Sequence, residues 1–335
     1  MNANLRIAAL LLACTLPLNL ATAQDAGNEP ASQVDVQKPK LPGKFKSQFE
    51  DPYAKLIPGS LPLGTSPEAA ALFEALSRST VKPGAKRAPL TAFDIAFEIK
   101  TRGPGVQRNQ ANVRVRFQAP GFVRFALEAQ KEMGFGPRGY WQRFEDGAKY
   151  LNGREYAPDR KRITQVRSTA KNFLALADPN RLRIQSLRAL AGAPGHVPPG
   201  LEKQAAKLTW LAIESPDFDL AVGAPGTDGD SAMPAARPRL FRATLGLNPT
   251  TGRVHEALVQ ELDKGAPLVS TSTWVSLSEP MDLGDSLLPG TVEVRYADMQ
   301  AEPWSFDVKP SEQLYILDGK LNPKFGPDAF EAPRL

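Results

Sequence analysis

The stretch TAFDIAFEIKT, Thr91 to Thr101, alternates without a fault: Phe93, Ile95, Phe97 and Ile99 fall on one side, Asp94, Ala96, Glu98 and Lys100 on the other. Successive side chains of a strand point to opposite faces, so this is a strand with one buried and one wetted face. The pattern repeats twice downstream. Val113, Val115 and Phe117 alternate with Asn112, Arg114 and Arg116. After a break at Pro120-Gly121, Val123, Phe125 and Leu127 alternate with Arg124, Ala126 and Glu128. Strands of this kind build an antiparallel sheet with one continuous apolar face. That face must be covered by helices, by a second sheet or by a ligand.

On the carboxy-terminal side the pattern continues as a meander. Tyr140–Glu145, Ala148–Leu151 and Arg154–Tyr156 are joined by Asp146-Gly147 and Asn152-Gly153, the strongest hairpin signals in the chain. Ile163–Val166 is expected to close it. On the amino-terminal side, Ser66 as N-cap, Pro67 in the first turn and Glu68 behind it start a helix, whose stripe of Leu72, Phe73 and Leu76 runs out near Thr80. Helical patterning is expected again from Ser168, through Phe173, Leu174 and Leu176. A second helix, capped at Asp178-Pro179, is expected to carry Leu182, Leu187 and Leu190.

Strands then return at Leu208, Trp210 and Ala212. Leu240–Leu247 and Val254–Glu261 form a long hairpin around Asn248–Gly252, and Val269–Leu277, Val292–Ala297 and Trp304–Val308 follow. A helix, a strand meander, two helices and more strands argue for an α+β fold with a largely antiparallel sheet, and against alternating βαβ units. The expected organisation is residues 1–23 as a signal peptide, 24–65 as a flexible arm, 66–310 as the folded domain and 311–335 as an irregular tail, with loops at Gly192–Gly200 and Gly223–Pro238.

The first 23 residues carry Arg6, an apolar run from Ile7 to Leu18 and the small-x-small site Ala21-Thr22-Ala23, the three parts of a secretory signal. The apolar run is short and broken by Pro17, and no other stretch approaches the length of a membrane span. The expectation is an exported, periplasmic protein with no integral span. The one cysteine, Cys14, lies within the signal. Leu11-Leu12-Ala13-Cys14 loosely resembles a lipobox, so lipid anchoring at Cys14 is the minor alternative; cleavage after Ala23 leaves no thiol chemistry. The 42% hydrophobic and 23% charged residues are ordinary for a soluble protein, and the 31 prolines foretell long irregular segments. A net charge of +5 spread over 335 residues gives no reason to expect a nucleic-acid partner.

Motifs for catalysis are weak. Gly134, Gly136 and Gly139 match GxGxxG, but Tyr140 to Phe144 reads as strand, whereas pyrophosphate binding needs a helix amino terminus there. Ser168-Thr169-Ala170-Lys171 matches SxxK without any Lys-Thr-Gly, and reads as a helix cap. Gly229-Asp230-Ser231 and Gly284-Asp285-Ser286 lack the glycine that completes a nucleophile elbow. His196 and His255 are the only histidines, too few for a His-rich metal site. Asp217 and Asp219 share one side of an extended segment, which leaves a carboxylate hydrolase as a remote alternative. The reading is therefore no catalytic residues, no metal and no cofactor. The cluster Arg154, Arg160, Lys161, Arg162, Arg167 and Lys171 is a solvated basic face, or the rim of a site that meets an anion.

Three motifs resemble the LolA/LolB-like lipoprotein carriers of the bacterial periplasm: Pro120-Gly121-Phe122-Val123-Arg124-Phe125, the hairpin from Phe144-Glu145-Asp146-Gly147 to Lys149-Tyr150-Leu151, and the strand–turn–strand unit Leu245 to Gly252. The resemblance spans roughly Ser66 to Pro310 in a chain longer than those carriers. It implies a curved, unclosed antiparallel half-barrel whose concave face is covered by a few helices. It also implies a cavity for an acyl chain, lipid or lipoprotein, held without catalysis. The cavity residues expected are Phe93, Ile95, Phe97, Ile99, Val113, Val115, Phe117, Val123, Phe125, Leu127 and Trp141, with Arg160, Arg162 and Arg167 at the rim for an anionic head. The alternative is an interaction or sensor module of an envelope protein complex whose core is filled by its own side chains.

Overall fold

The Ser66-Pro67-Glu68 signal does start a helix, α1 (Pro67–Ser79), with Ser66 accepting the N–H of Ala69 at 3.2 Å. A computed structural model describes residues 51–86, 88–101, 109–119, 121–127, 131–144, 147–152, 156–218, 239–299 and 303–333. The signal segment, most of the arm and the Gly223–Pro238 loop lie outside this set.

The alternating stretches are β1 (Ala92–Thr101), β2 (Asn109–Gln118) and β3 (Phe122–Leu127), followed by β4 (Lys131–Gly136), β5 (Gly139–Phe144) and β6 (Gly147–Tyr150). All pair antiparallel with their sequence neighbours. The register carries the apolar row across the sheet, Phe93 opposite Phe117, Phe117 opposite Val123 and Val123 opposite Phe135. The other face holds the polar row, where Asp94 takes Arg114 at 2.6 Å and Arg116 at 3.2 Å. Of the GxGxxG glycines, Gly134 lies within β4, Gly136 ends it and Gly139 opens β5, so they serve a tight hairpin.

The second half comprises β7 (Ser186–Leu190), β8 (Thr209–Ser215), β9 (Leu240–Leu247), β10 (Val254–Asp263), the short β11 (Ala266–Pro267), β12 (Thr273–Leu283), β13 (Ser286–Asp298) and the short β14 (Ser305–Phe306). The segment read as an irregular tail is instead a ten-residue strand, β15 (Glu312–Leu321), which pairs with β1 on one side and β13 on the other. The sheet runs β6-β5-β4-β3-β2-β1-β15-β13-β12-β10-β9-β8-β7 and does not close, so β6 and β7 are its edges. The fold is α+β, an open and mostly antiparallel half-barrel.

The helical region departs from expectation. Ile163–Val166 is not a strand and Ser168 does not begin a helix; both lie inside α2 (Ala157–Ala177), 21 residues long. Ile163, Ala170, Leu174 and Ala177 recur at helical spacing and are buried. Pro158 in the first turn is the start signal that the basic run after it obscures. Asp178-Pro179 leads into a 3₁₀ turn, Pro179–Arg181, and not a second helix, with Leu187 and Leu190 in β7. Asp178 is buried and accepts the N–H of Leu90 at 2.8 Å, which ties the end of α2 to the entrance of β1. A third, four-residue helix, α3 (Glu202–Ala205), lies over the opposite face.

Two clusters fill the inner face. α2 covers the β1–β4 half, and α1 covers the β7–β10 half through Ala69, Phe73 and Leu76 against Leu187, Leu211, Ile213 and Leu245. The end of the segment read as a flexible arm is seated as well. Gly59 N–H donates to the Leu182 carbonyl, and Arg183 bridges Asp51 at 2.8 Å and Asp217 at 2.7 Å. Among the described residues no helix is long and apolar enough to cross a membrane.

Candidate functional site

The alternating rows bring the expected residues together. Phe93, Ile95, Phe97, Ile99, Val113, Val115, Phe117, Val123 and Phe125 form one cluster, each between 0% and 8% exposed. Leu127 continues the row by its backbone, opposite Val113, and its side chain lies outside the described set. α2 lies directly on this layer. Phe173 meets Phe93 edge-on at 5.2 Å and Phe97 at 6.1 Å, while Ile163, Ala170 and Leu174 fill the space between. The layer is thus occupied by the protein's own helix.

Trp141 does not join it. A two-residue turn at Pro137-Arg138 sets Trp141 opposite Gly134, which stands opposite Arg124, so the indole is on the outer face. Gly134 has no Cβ, and the indole lies over it. Trp141 Nε1 donates to the Phe330 carbonyl at 2.8 Å, and the Arg124 guanidinium sits 5.6 Å from its ring. The inward side chains of β5 are Tyr140, Gln142 and Phe144, one residue out of step with the sequence expectation.

The three rim arginines all come from α2. Arg162 Nη1 lies 4.0 Å from Asp159 Oδ1, one turn away. The Arg160 carbonyl accepts the Thr164 hydroxyl at 2.9 Å, and that hydroxyl lies 3.2 Å from Tyr140 Oη. The Arg167 guanidinium rests 4.4 Å over the Phe135 ring, with Nε buried and unpartnered. Gln142 Oε1, on the inner face of β5, is also buried without a partner.

The motifs set aside earlier fall into structural places. Ser168 is buried in the middle of α2. His196 stacks on Trp304 at 4.0 Å, and Asp217 holds Arg183. Two open clefts lie outside the contact between α2 and the sheet, the smaller of them lined in part by Leu90 and Leu283 of the same apolar cluster. The larger, about 780 Å³, sits where the end of α1 meets the Pro179–Arg181 turn, and its charges are mixed: Glu74, Arg78, Lys82, Asp178 and Arg181. The smaller, about 470 Å³, lies between Leu283–Ser286 and Gly319–Pro323.

Sequence reading missed two carboxylates with raised pKa values. Glu256 on β10 is fully buried on the outer face and accepts from Trp274 Nε1 at 2.6 Å, Ser276 Oγ at 2.7 Å and Gln204 Nε2 at 2.7 Å. Burial pushes its carboxyl above the usual range, and the hydrogen bonds from Ser276 and Trp274 oppose the shift. Glu312, on the inner face of β15, accepts the Tyr296 hydroxyl at 3.0 Å and is pushed up to about 7, again by burial. Period two places a residue on a face. It carries no information on what will cover that face, so neither carboxylate was marked.

No protein-family model and no curated protein matches the chain. Among solved structures it is similar to a LolA superfamily protein from Nitrosomonas europaea, at 11% identity over 78% of this chain and 96% of that one, with a TM-score of 0.41. It is similar also to a putative outer membrane lipoprotein-sorting protein domain from Vibrio parahaemolyticus, at 12% identity over 79% and 95%, with a TM-score of 0.35. A DUF1329 family protein from Desulfovibrio piger is similar at 9% identity over 78% and 97%, with a TM-score of 0.36. Similarity at this level assigns no activity.

Proposed function

We propose that this protein is a non-enzymatic periplasmic binding protein that takes an acyl chain, from a lipid or a lipoprotein, between the inner face of its half-barrel and α2. The observation that carries the reading is the contrast between the two sides of that layer. The sheet presents a broad apolar surface from Phe93 to Phe125, whereas its cover is a single helix whose buried contacts include the small residues Ala170 and Ala177. Hydrocarbon entering between α2 and this surface gains about 0.8 kcal/mol per buried CH₂, and this gain offsets the sheet contacts that α2 gives up.

Native mass spectrometry of protein purified from a periplasmic fraction, followed by lipid extraction, tests the proposal. Co-purified acyl species, or uptake of an added fatty acid or lipopeptide, are the expected result. A clean protein mass that accepts neither sinks it.

A second reading rests on the tight closure of the same layer. The protein is then an interaction module of an envelope complex, with α2 as a permanent part of its core. Its mark is a protein partner recovered by crosslinking in the envelope, together with no acyl uptake.

A further inference from the structure

The three rim arginines are not equivalent. Arg162 has Asp159 beside it, and Arg160 has contacts of its own. Arg167 has no carboxylate and no hydrogen-bond acceptor among the described residues, and its Nε is buried. Its guanidinium lies 4.4 Å over the ring of Phe135, the residue that continues the inner apolar row through Val123. It also occupies the room left by a missing side chain: a Cβ on Gly121 would come within 2.6 Å of both Nε and Nη2. A cation is therefore held at the Gly121 end of β3, against the margin of the apolar layer, with its buried Nε donor unmatched among the described residues.

Buried polar atoms without partners are rare in native proteins and point to a missing group. A guanidinium presents paired N–H donors that match the oxygens of a carboxylate or a phosphate. The hydroxyls of Tyr140 and Thr164 stand one helical turn before it along α2.

We propose that Arg167 anchors the anionic head of a single-chain amphiphile, a carboxylate or a phosphate monoester, whose hydrocarbon lies under α2. The inference rests on the acyl-binding reading and adds the chemical class of the head.

The test compares palmitic acid, hexadecyl phosphate and hexadecanol, which share a chain length, by native mass spectrometry and calorimetric titration with the full mature chain. The wild type should bind at least one of the two anions about tenfold more tightly than the alcohol, the value of one charge-assisted contact. The tighter of the two identifies the head. Arg167→Met keeps the apolar stem and should bind the alcohol as before with the anion preference gone; Arg167→Lys should keep part of it. Equal wild-type affinity for all three probes overturns the role of Arg167 and leaves acyl binding standing, and this comparison needs no variant to fold. A folded Arg167→Met that keeps the preference does the same. A wild type that binds none of the probes overturns both ideas.

Discussion

Trp141 Nε1 donates to the carbonyl of Phe330 at 2.8 Å, joining β5 to a segment near the carboxy terminus. Arg124 Nη1 reaches the Ala329 carbonyl at 3.2 Å, and Tyr150 Oη donates to Glu331, so the whole turn around Phe330 is fastened over the outer face of β3–β6. Trp141→Phe removes the first bond and keeps most of the packing, with an expected loss of about 1 kcal/mol in urea denaturation. Gly136→Ala acts more strongly, because its Cβ would fall 2.2 Å from the Phe330 carbonyl oxygen. Limited proteolysis should then cut near Phe330 while the sheet stays folded. A wild-type digestion pattern would show that the segment is held from elsewhere.

Gly252 closes the Asn248 turn at φ +70, where an added Cβ would lie 2.6 Å from the Ala75 carbonyl of α1. Gly265 has φ +86 and nothing within 4 Å. Gly265→Ala should cost only the left-handed strain, about 1–2 kcal/mol, and Gly252→Ala that strain plus displacement of α1. Unequal falls in thermal midpoint, larger for Gly252→Ala, are the expected outcome; equal falls would mean that α1 yields freely.

Glu312 has a folded-state pKa of about 7, raised from the ordinary value near 4.5 by burial. The unfolded chain releases this proton first, so the native state loses stability as the pH rises from about 4.5 through 7. Below that window both states are protonated and the carboxyl costs nothing. Glu312→Gln should therefore stabilise by about 1–3 kcal/mol at pH 8 and by little at pH 4. Denaturant midpoints at the two pH values check this. An equal effect at both would remove titration as the cause.

Phe173 is the main aromatic contact of α2 with the sheet, through Phe93 and Phe97. Phe173→Ala should cost about 2–4 kcal/mol. Hydrogen exchange should quicken in α2 and leave the amides of β8–β10 unchanged, since those strands belong to the cluster under α1. If α2 is the removable cover, the same variant should also take up fatty acid faster.

How much the sequence discloses depends on whether a local period survives. In β1–β3 it does, because every residue from Val113 to Phe117 faces the partner that strict alternation assigns. In β15 it does not. Leu314 and Ile316 face inward at even positions, then the register shifts opposite Ala96/Phe97, and Gly319 and Leu321 face inward at odd ones. Leu317 sits at that irregularity, half exposed. One extra residue exchanges the faces of a strand, so this strand reads as aperiodic and was taken for a tail. The second half of α2 was legible through Phe173, Leu174 and Leu176, and its first half escaped for another reason: the β-branched Ile163 and Val166 imitate a strand. The apolar layer was legible as nine buried residues of β1–β3, and Trp141 was misplaced by the parity of a single hairpin turn.

The central position of β15 has a kinetic consequence. β1 is made early and β13 late, yet neither can satisfy its facing edge until Glu312–Leu321 arrives between them. Chain that emerges amino terminus first must therefore keep one flank of β1 bare until residues 312–321 have been made, more than 200 positions later, and unpaired flanks are sites of wrong association. Contacts so distant in sequence also slow the search for the native pairing. The two halves of the sheet become one structure only when β15 seats between β1 and β13.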